Sequence, residues 1–179
     1  MRSLLVYAAL LLAAAAPAPP EPDGYRDDGY RTVTPLTFNG RAALETSAAE
    51  RLWKSGQAQF VDTLPLAPRP VGLPEGTIWR PKPRDDIPGS IWLPDTGYGT
   101  LAPVMEAWFR SALAEATHGD QEKPLVFYCL ADCWMSWNAA KRAQALGYAH
   151  VEWYRDGTDG WQAAGLPLEP RTPVPRPGE

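Results

Sequence analysis

Cys129 and Cys133 are the two thiols of a 179-residue chain, and they lie four residues apart in the stretch LVFYCLADCWMSWNAAKRAQA, 125–145. The apolar run before Cys129 reads as a strand and the segment beyond it as a helix, so Cys129 sits where a strand feeds a helix through a tight loop. Such a junction aims backbone N–H groups and the positive end of the helix at the loop centre, where a thiolate or an anion is stabilised. The thiolate is the reactive form of cysteine, and dipoles or a nearby cation must lower its pKa. Leu130, Ala131, Asp132, Cys133, Trp134 and Met135 separate Cys129 from Ser136. A loop of that length can wrap an anion with its amides from Leu130 to Ser136. None of these side chains is cationic, and Asp132 repels a dianion and raises a neighbouring thiol.

Cys133 opens a second chemistry. In a compact loop, a spacing of four brings two Cα atoms within the roughly 4.4–6.8 Å that a disulfide needs. The pair then forms a redox couple, Cys129 attacking and Cys133 resolving. A permanent structural disulfide, or a Cys133 that merely packs, fits the same residues. Two thiols with only His118 and His150 elsewhere make no four-ligand zinc signature, so no metal is expected. A soft ion such as Cu(I) on both thiolates plus Met135 stays open beside that expectation. Trp134 and Trp137 flank the loop, where an indole can stack on a flat redox molecule such as a quinone cofactor; ordinary packing is the plainer role. Trp79, Trp92, Trp153 and Trp161 read as core or rim, and Lys141 and Arg142 as a solvated helix face.

The elements that must position this loop follow from pattern. Strands are expected at QFVDTL around Val61, GSIWLP around Ile91, PLVFYC ending at Cys129 and VEWYR around Trp153. Helices fall between them. Ser47 and Glu50 make a capping-box pattern before AERLWKSG, which stops at Gly56; MEAWFRSALAEAT from Met105 repeats at helical spacing; the third begins near Ser136 and runs to Gly147. Apolar strands alternating with helices give a helix-covered, parallel α/β sheet in one domain.

The ends differ in composition. MRSLLVYAALLLAAAA carries an early cation, a short apolar run and small residues, the parts of a secretory signal peptide, expected to be cut after Ala15. Its apolar run is too short to span a bilayer, so the mature chain has no expected membrane span. Residues 16–33 form a Pro/Gly/Asp-rich tail, 34–169 the domain, and 170–179 a Pro-rich tail. Export places the thiols in an oxidising compartment. A formal charge of −4 with no basic block excludes nucleic acid as a partner.

Three separated pieces resemble one family. FVDTL from Phe60 to Leu64 is similar to the strand ending in Asp of rhodanese-like domains, IPGSIWLP from Ile87 to their I-P-G-A signature, and YRDGTDGWQAAGLPLE from Tyr154 to their closing segment. The resemblance implies a three-layer α/β domain, with a mostly parallel central sheet and helices on both faces. It also implies that Cys129 holds the position of the catalytic cysteine and that Asp62 is structural. Within that group, CLADCW resembles the CXXCW proteins associated with catabolism dependent on pyrroloquinoline quinone (PQQ). That narrower resemblance implies a periplasmic accessory of alcohol oxidation, with a quinoprotein dehydrogenase, a c-type cytochrome or a transport component as partner. Contact with the quinone, or with another redox cofactor, enters through Trp134. Three functions stay open at this level: thiol redox or sulfur chemistry, thiosulfate sulfur transfer through a Cys129 persulfide, and docking without chemistry.

Overall fold

The strands that carry the site are short and buried on both faces. In a computed structural model, which describes residues 17–67, 70–78 and 82–177, β3 (Gln59–Asp62), β5 (Ile91–Trp92), β6 (Leu125–Tyr128) and β7 (Val151–Trp153) form one sheet in the order β5-β3-β6-β7. All neighbours are parallel, with Val61 opposite Phe127, Asp62 opposite Tyr128 and Phe127 opposite Trp153. The segment read as a leader, and Trp79, lie outside the described residues. Among the described residues no helix is long and apolar enough to cross a membrane.

Side chains alternate across the sheet and meet a helical layer on each side. Val61, Leu125, Phe127, Val151 and Trp153 pack with Phe109 and Leu113 of α2 (Pro103–Thr117) and with Trp137, Ala139, Ala140 and Ala143 of α3 (Trp134–Ala145). The alanines let α3 lie close to the strands. Phe60, Val126 and Tyr128 face the other way, onto Ala49 of α1 (Thr46–Ser55) and Trp161 of α4 (Gly157–Ala163). Burial of each such large side chain stabilises the fold by about 1.5–3 kcal/mol. The three-layer α/β architecture expected from the sequence is the one observed.

Several boundaries differ from the sequence reading. Helix α1 starts from Glu45 as N-cap, without a side-chain cap, and Ser47 lies inside it. The capping box does not form because Thr46 already begins the helix, its hydroxyl 2.9 Å from that of Tyr154. Helix α3 starts at Trp134, two residues before Ser136, with Cys133 as its N-cap. Its end agrees with expectation, Gly147 taking a φ of 98° just after the last turn.

Both ends of the described chain are extended, yet neither stands off the domain. Strand β4 (Arg84–Asp86) pairs antiparallel with β8 (Glu169–Arg171), and beyond it Val174 donates to the Trp92 carbonyl at 3.0 Å. At the other end, Glu21 accepts from the amides of Asn39 and Gly40, the turn joining β1 (Thr37–Phe38) to β2 (Arg41–Ala42). Both turn residues have positive φ, 53° and 70°, as a tight two-residue hairpin requires.

Candidate thiol site

Cys129 is the first residue past β6, and only Leu130, Ala131, Asp132 and Cys133 separate it from α3. Both cysteines are free, with exposures of 0% and 1%. The Cys129 thiol lies 3.7 Å from the carbonyls of Leu130 and Cys133 and 3.6 Å from Ser136 Oγ. Ser136 also takes the indole proton of Trp153 at 3.0 Å. The sequence-chosen residues are therefore brought together, but not in the expected arrangement.

The two sulfurs have opposite electrostatics. Burial pushes the Cys129 thiol well above its ordinary range, and its hydrogen bond to Cys133 adds to the shift. Cys133 is lowered to about 6, first by the hydrogen bond from Cys129, against the opposing effect of burial, then by the Met135 amide and the Arg31 side chain. The sequence reading gave the attacking role to Cys129; desolvation and hydrogen bonding give the thiolate character to Cys133.

Three of the amides expected to cradle an anion are already engaged within the protein. The N–H of Ala131 points at Asp159 Oδ2 at 3.0 Å, that of Trp134 at the Tyr30 carbonyl at 2.9 Å, and that of Met135 at the Cys133 sulfur. These three amides of the loop and helix N-terminus donate to the protein itself. Asp132, at a φ of 49°, turns outward, its carboxylate 3.8 Å from Arg155 and within 3.5 Å of Thr34. Trp134 offers no free face to a quinone: it is 2% exposed, edge-on to Trp137 at 5.6 Å, with the Arg26 guanidinium 5.4 Å from its ring centre. Met135 is buried beside the sulfurs. Among the described residues no group of three or more His, Cys, Asp or Glu is placed to hold a metal ion.

Beneath the loop the Cys129 carbonyl is fixed by three donors: the Thr158 amide at 3.0 Å, the Thr158 hydroxyl at 3.3 Å and Arg84 Nη2 at 3.3 Å. Arg84 is held in turn by Asp62 Oδ2 at 2.7 Å, and Asp86 Oδ1 lies 3.0 Å from the same nitrogen. Both carboxyls are fully buried, and burial followed by the neighbouring Asp62 raises Asp86 to about 9, which keeps it protonated at neutral pH. Asp62 is thus structural, as expected, through a partner the sequence reading did not name. Arg84 reaches solvent along a groove of about 390 Å³ shared with Lys82, Trp92 and Arg171.

Residues 80–164, which include the loop, match the sequence profile of the Rhodanese-like domain family. Over that segment the chain carries a rhodanese-like domain. Its likeness to solved structures is one of fold. A T414A variant of EanB in complex with hercynine matches at 22% identity over 80% of this chain and 36% of that one, with a TM-score of 0.51. The Pseudomonas aeruginosa thiosulfate sulfurtransferase matches at 21% over 73% of this chain and 20% of that one, TM-score 0.46. The Escherichia coli 3-mercaptopyruvate sulfotransferase SseA matches at 20% over 75% and 53%, TM-score 0.48. In each case this chain spans less than two thirds of the other protein's length. No curated protein matches the sequence.

In the rhodanese-like domain the family segment thus contains both thiols, and the residues sequence reasoning missed come from outside the motif. Arg31, Arg84 and Thr158 reach the loop from the N-terminal arm, β4 and the start of α4, and Asp86 stands behind Arg84. Lys141 and Arg142, read as a solvated face, lie under that arm or against its neighbour: Lys141 donates to the carbonyls of Pro22 and Asp23, and Arg142 is 6% exposed, with its guanidinium on the carbonyls of Thr96, Tyr98 and Gly99.

Proposed function

We propose that this protein is a periplasmic rhodanese-like protein that performs thiol redox or sulfur chemistry, with Cys133 attacking and Cys129 resolving. The observation that carries the reading is the pair itself: two free sulfurs in one buried pocket, the thiol of Cys129 hydrogen-bonded to Cys133. The chemistry balances without a cofactor. The Cys133 thiolate attacks a sulfur of a disulfide or persulfide substrate, forming a Cys133–sulfur bond while the departing sulfur leaves with the bonding electron pair. Cys129 then gives up its proton and attacks the Cys133 sulfur. The products are a Cys129–Cys133 disulfide and a second free thiol, or hydrogen sulfide where the substrate is a persulfide, with the Cys129 proton passing to the departing sulfur; the substrate is reduced and the cysteine pair oxidised.

The leader-like first fifteen residues support the periplasmic placement, and the CLADCW motif supports service to PQQ-dependent alcohol oxidation. A quinoprotein dehydrogenase, a c-type cytochrome or a transport component is the corresponding partner. Thiosulfate transfer through a Cys129 persulfide is disfavoured, since burial and the hydrogen bond to Cys133 raise that thiol. The sealing of both sulfurs favours, as a second reading, a docking module without chemistry.

Intact mass of protein taken from the cell envelope under alkylation separates these readings. Reversible loss and return of two alkylatable thiols, or a sulfur adduct that Cys133→Ser abolishes, is the expected result. Two thiols that neither oxidise nor take up sulfur, with full cellular activity in the double Cys→Ser variant, leave docking alone.

A further inference from the structure

A buried thiolate needs a positive partner, and the loop contains none: its four residues are Leu130, Ala131, Asp132 and Cys133. The nearby cations from other elements have other partners. Arg84 lies between Asp62 and Asp86 and gives its free nitrogens to Thr158 and the Cys129 carbonyl; Arg155 faces Asp132 and Thr34. Arg31 comes from the segment that the sequence presents as a tail.

That segment is laid along α3 in register. Pro22 and Asp23 take the Lys141 ammonium, Arg26 exchanges two hydrogen bonds with Asn138 at 2.9 and 2.7 Å, the Tyr30 carbonyl takes the Trp134 amide at 2.9 Å, and Thr34 meets Asp132. The phenol of Tyr30 accepts from Gly99 at 3.0 Å, and a Cβ on Gly99 would come within 2.6 Å of the Arg26 carbonyl, so that glycine leaves room for the arm. The arm thus descends the helix one turn at a time and brings Arg31 to its N-terminus, with the side chain on the Cys133 sulfur.

We propose that Arg31 is a catalytic residue of the thiol site, delivered in cis by the N-terminal arm, which holds the Cys133 sulfur and receives an anionic sulfur substrate. The inference rests on the thiol reading above and adds the substrate class, a sulfur compound with a negatively charged head. As the thiolate's charge passes to the departing sulfur, the guanidinium remains to neutralise it. The groups facing Cys133 are Cys129 from the end of β6, the Met135 amide from α3 and Arg31 from the arm; Asp62 of β3 acts on Cys129.

The test uses the mature chain and two alkylating probes, neutral iodoacetamide and anionic iodoacetate. Thiolate absorbance is followed against pH in wild type, Arg31→Gln, Arg31→Lys, Asn138→Ala and Cys133→Ser. Arg31→Gln is expected to raise the Cys133 transition by about one pH unit, a tenfold loss of thiolate below it, and to lower the iodoacetate-to-iodoacetamide rate ratio several-fold. Arg31→Lys should restore most of both. Asn138→Ala, which loosens the arm but keeps the cation, should shift both in the same direction, less strongly. An unchanged transition and ratio in Arg31→Gln overturns the proposal, as does a change in Asn138→Ala alone. If Cys133→Ser removes no reactive thiol, it is the thiol reading that fails.

Discussion

Ser136 Oγ stands 3.6 Å from the sulfur of Cys129 and at the same time receives the indole proton of Trp153 at 3.0 Å. One hydroxyl therefore joins the first turn of α3 to the Cys129 thiol and to the edge strand β7. Ser136→Ala leaves a buried indole N–H without an acceptor, which costs about 1–3 kcal/mol. Urea unfolding should show that loss. The same substitution removes a group that lowers the Cys129 thiol, so alkylation of Cys129 in a Cys133→Ser background should slow further.

The lowered thiol gives a pH dependence of definite sign. Cys133 falls from about 9 unfolded to about 6 folded, so its contribution to stability is complete above the unfolded value and is lost as pH drops toward 6. Because the hydrogen bond from Cys129 is the largest cause, Cys129→Ala should move the Cys133 transition upward. Alkylation of Cys133 near pH 7 should then slow by about tenfold. An unshifted rate–pH profile would show that the two sulfurs are not coupled.

Asp86 acts in the opposite sense. Its folded value, about 9, lies above the ordinary 3.8, so its contribution is fully present below that ordinary value and is lost as pH rises toward 9. Asp86→Asn keeps a donor for Asp62 and removes the titration. Thermal unfolding of the variant should vary less between pH 4 and 9 than that of the wild type, with a higher midpoint at the alkaline end.

Gly157 lies directly under the loop, with a φ of 53°. A Cβ there would come 2.4 Å from the Cys129 carbonyl oxygen, so Gly157→Ala combines backbone strain with displacement of Cys129. A loss of ~2–4 kcal/mol is expected, together with faster alkylation of Cys129 as its carbonyl leaves Thr158 and Arg84. Unchanged stability would mean that the loop yields without cost.

The parallel sheet is legible in the sequence because strands covered on both faces read as short apolar runs, FVD and LVFY, set between helical repeats. The start of α3 is not, since Cys133 caps it without a side-chain hydrogen bond and the bulky Trp134 and Met135 look like loop. The hairpin at Asn39-Gly40 carries a recognisable turn pair that the sequence reading passes over. Arg84 and Asp62 meet only once β4 and β3 have been brought together, and no local spacing reports that. The arm is harder still. It is held by isolated backbone groups and by side chains 98 to 119 residues away, which leave no periodic trace, so its Pro, Gly and Asp content reads as a loose end.

Chain growth runs from the N-terminus, so the arm emerges well before the helix it is to lie on: 112 residues separate Arg26 from Asn138. Both cysteines reach the surroundings while that helix is still incomplete, as ordinary thiols of an unfolded chain. Closure of the arm onto that helix is therefore the event that brings Arg31 to the Cys133 sulfur. A nascent or truncated chain would carry the motif without that cation.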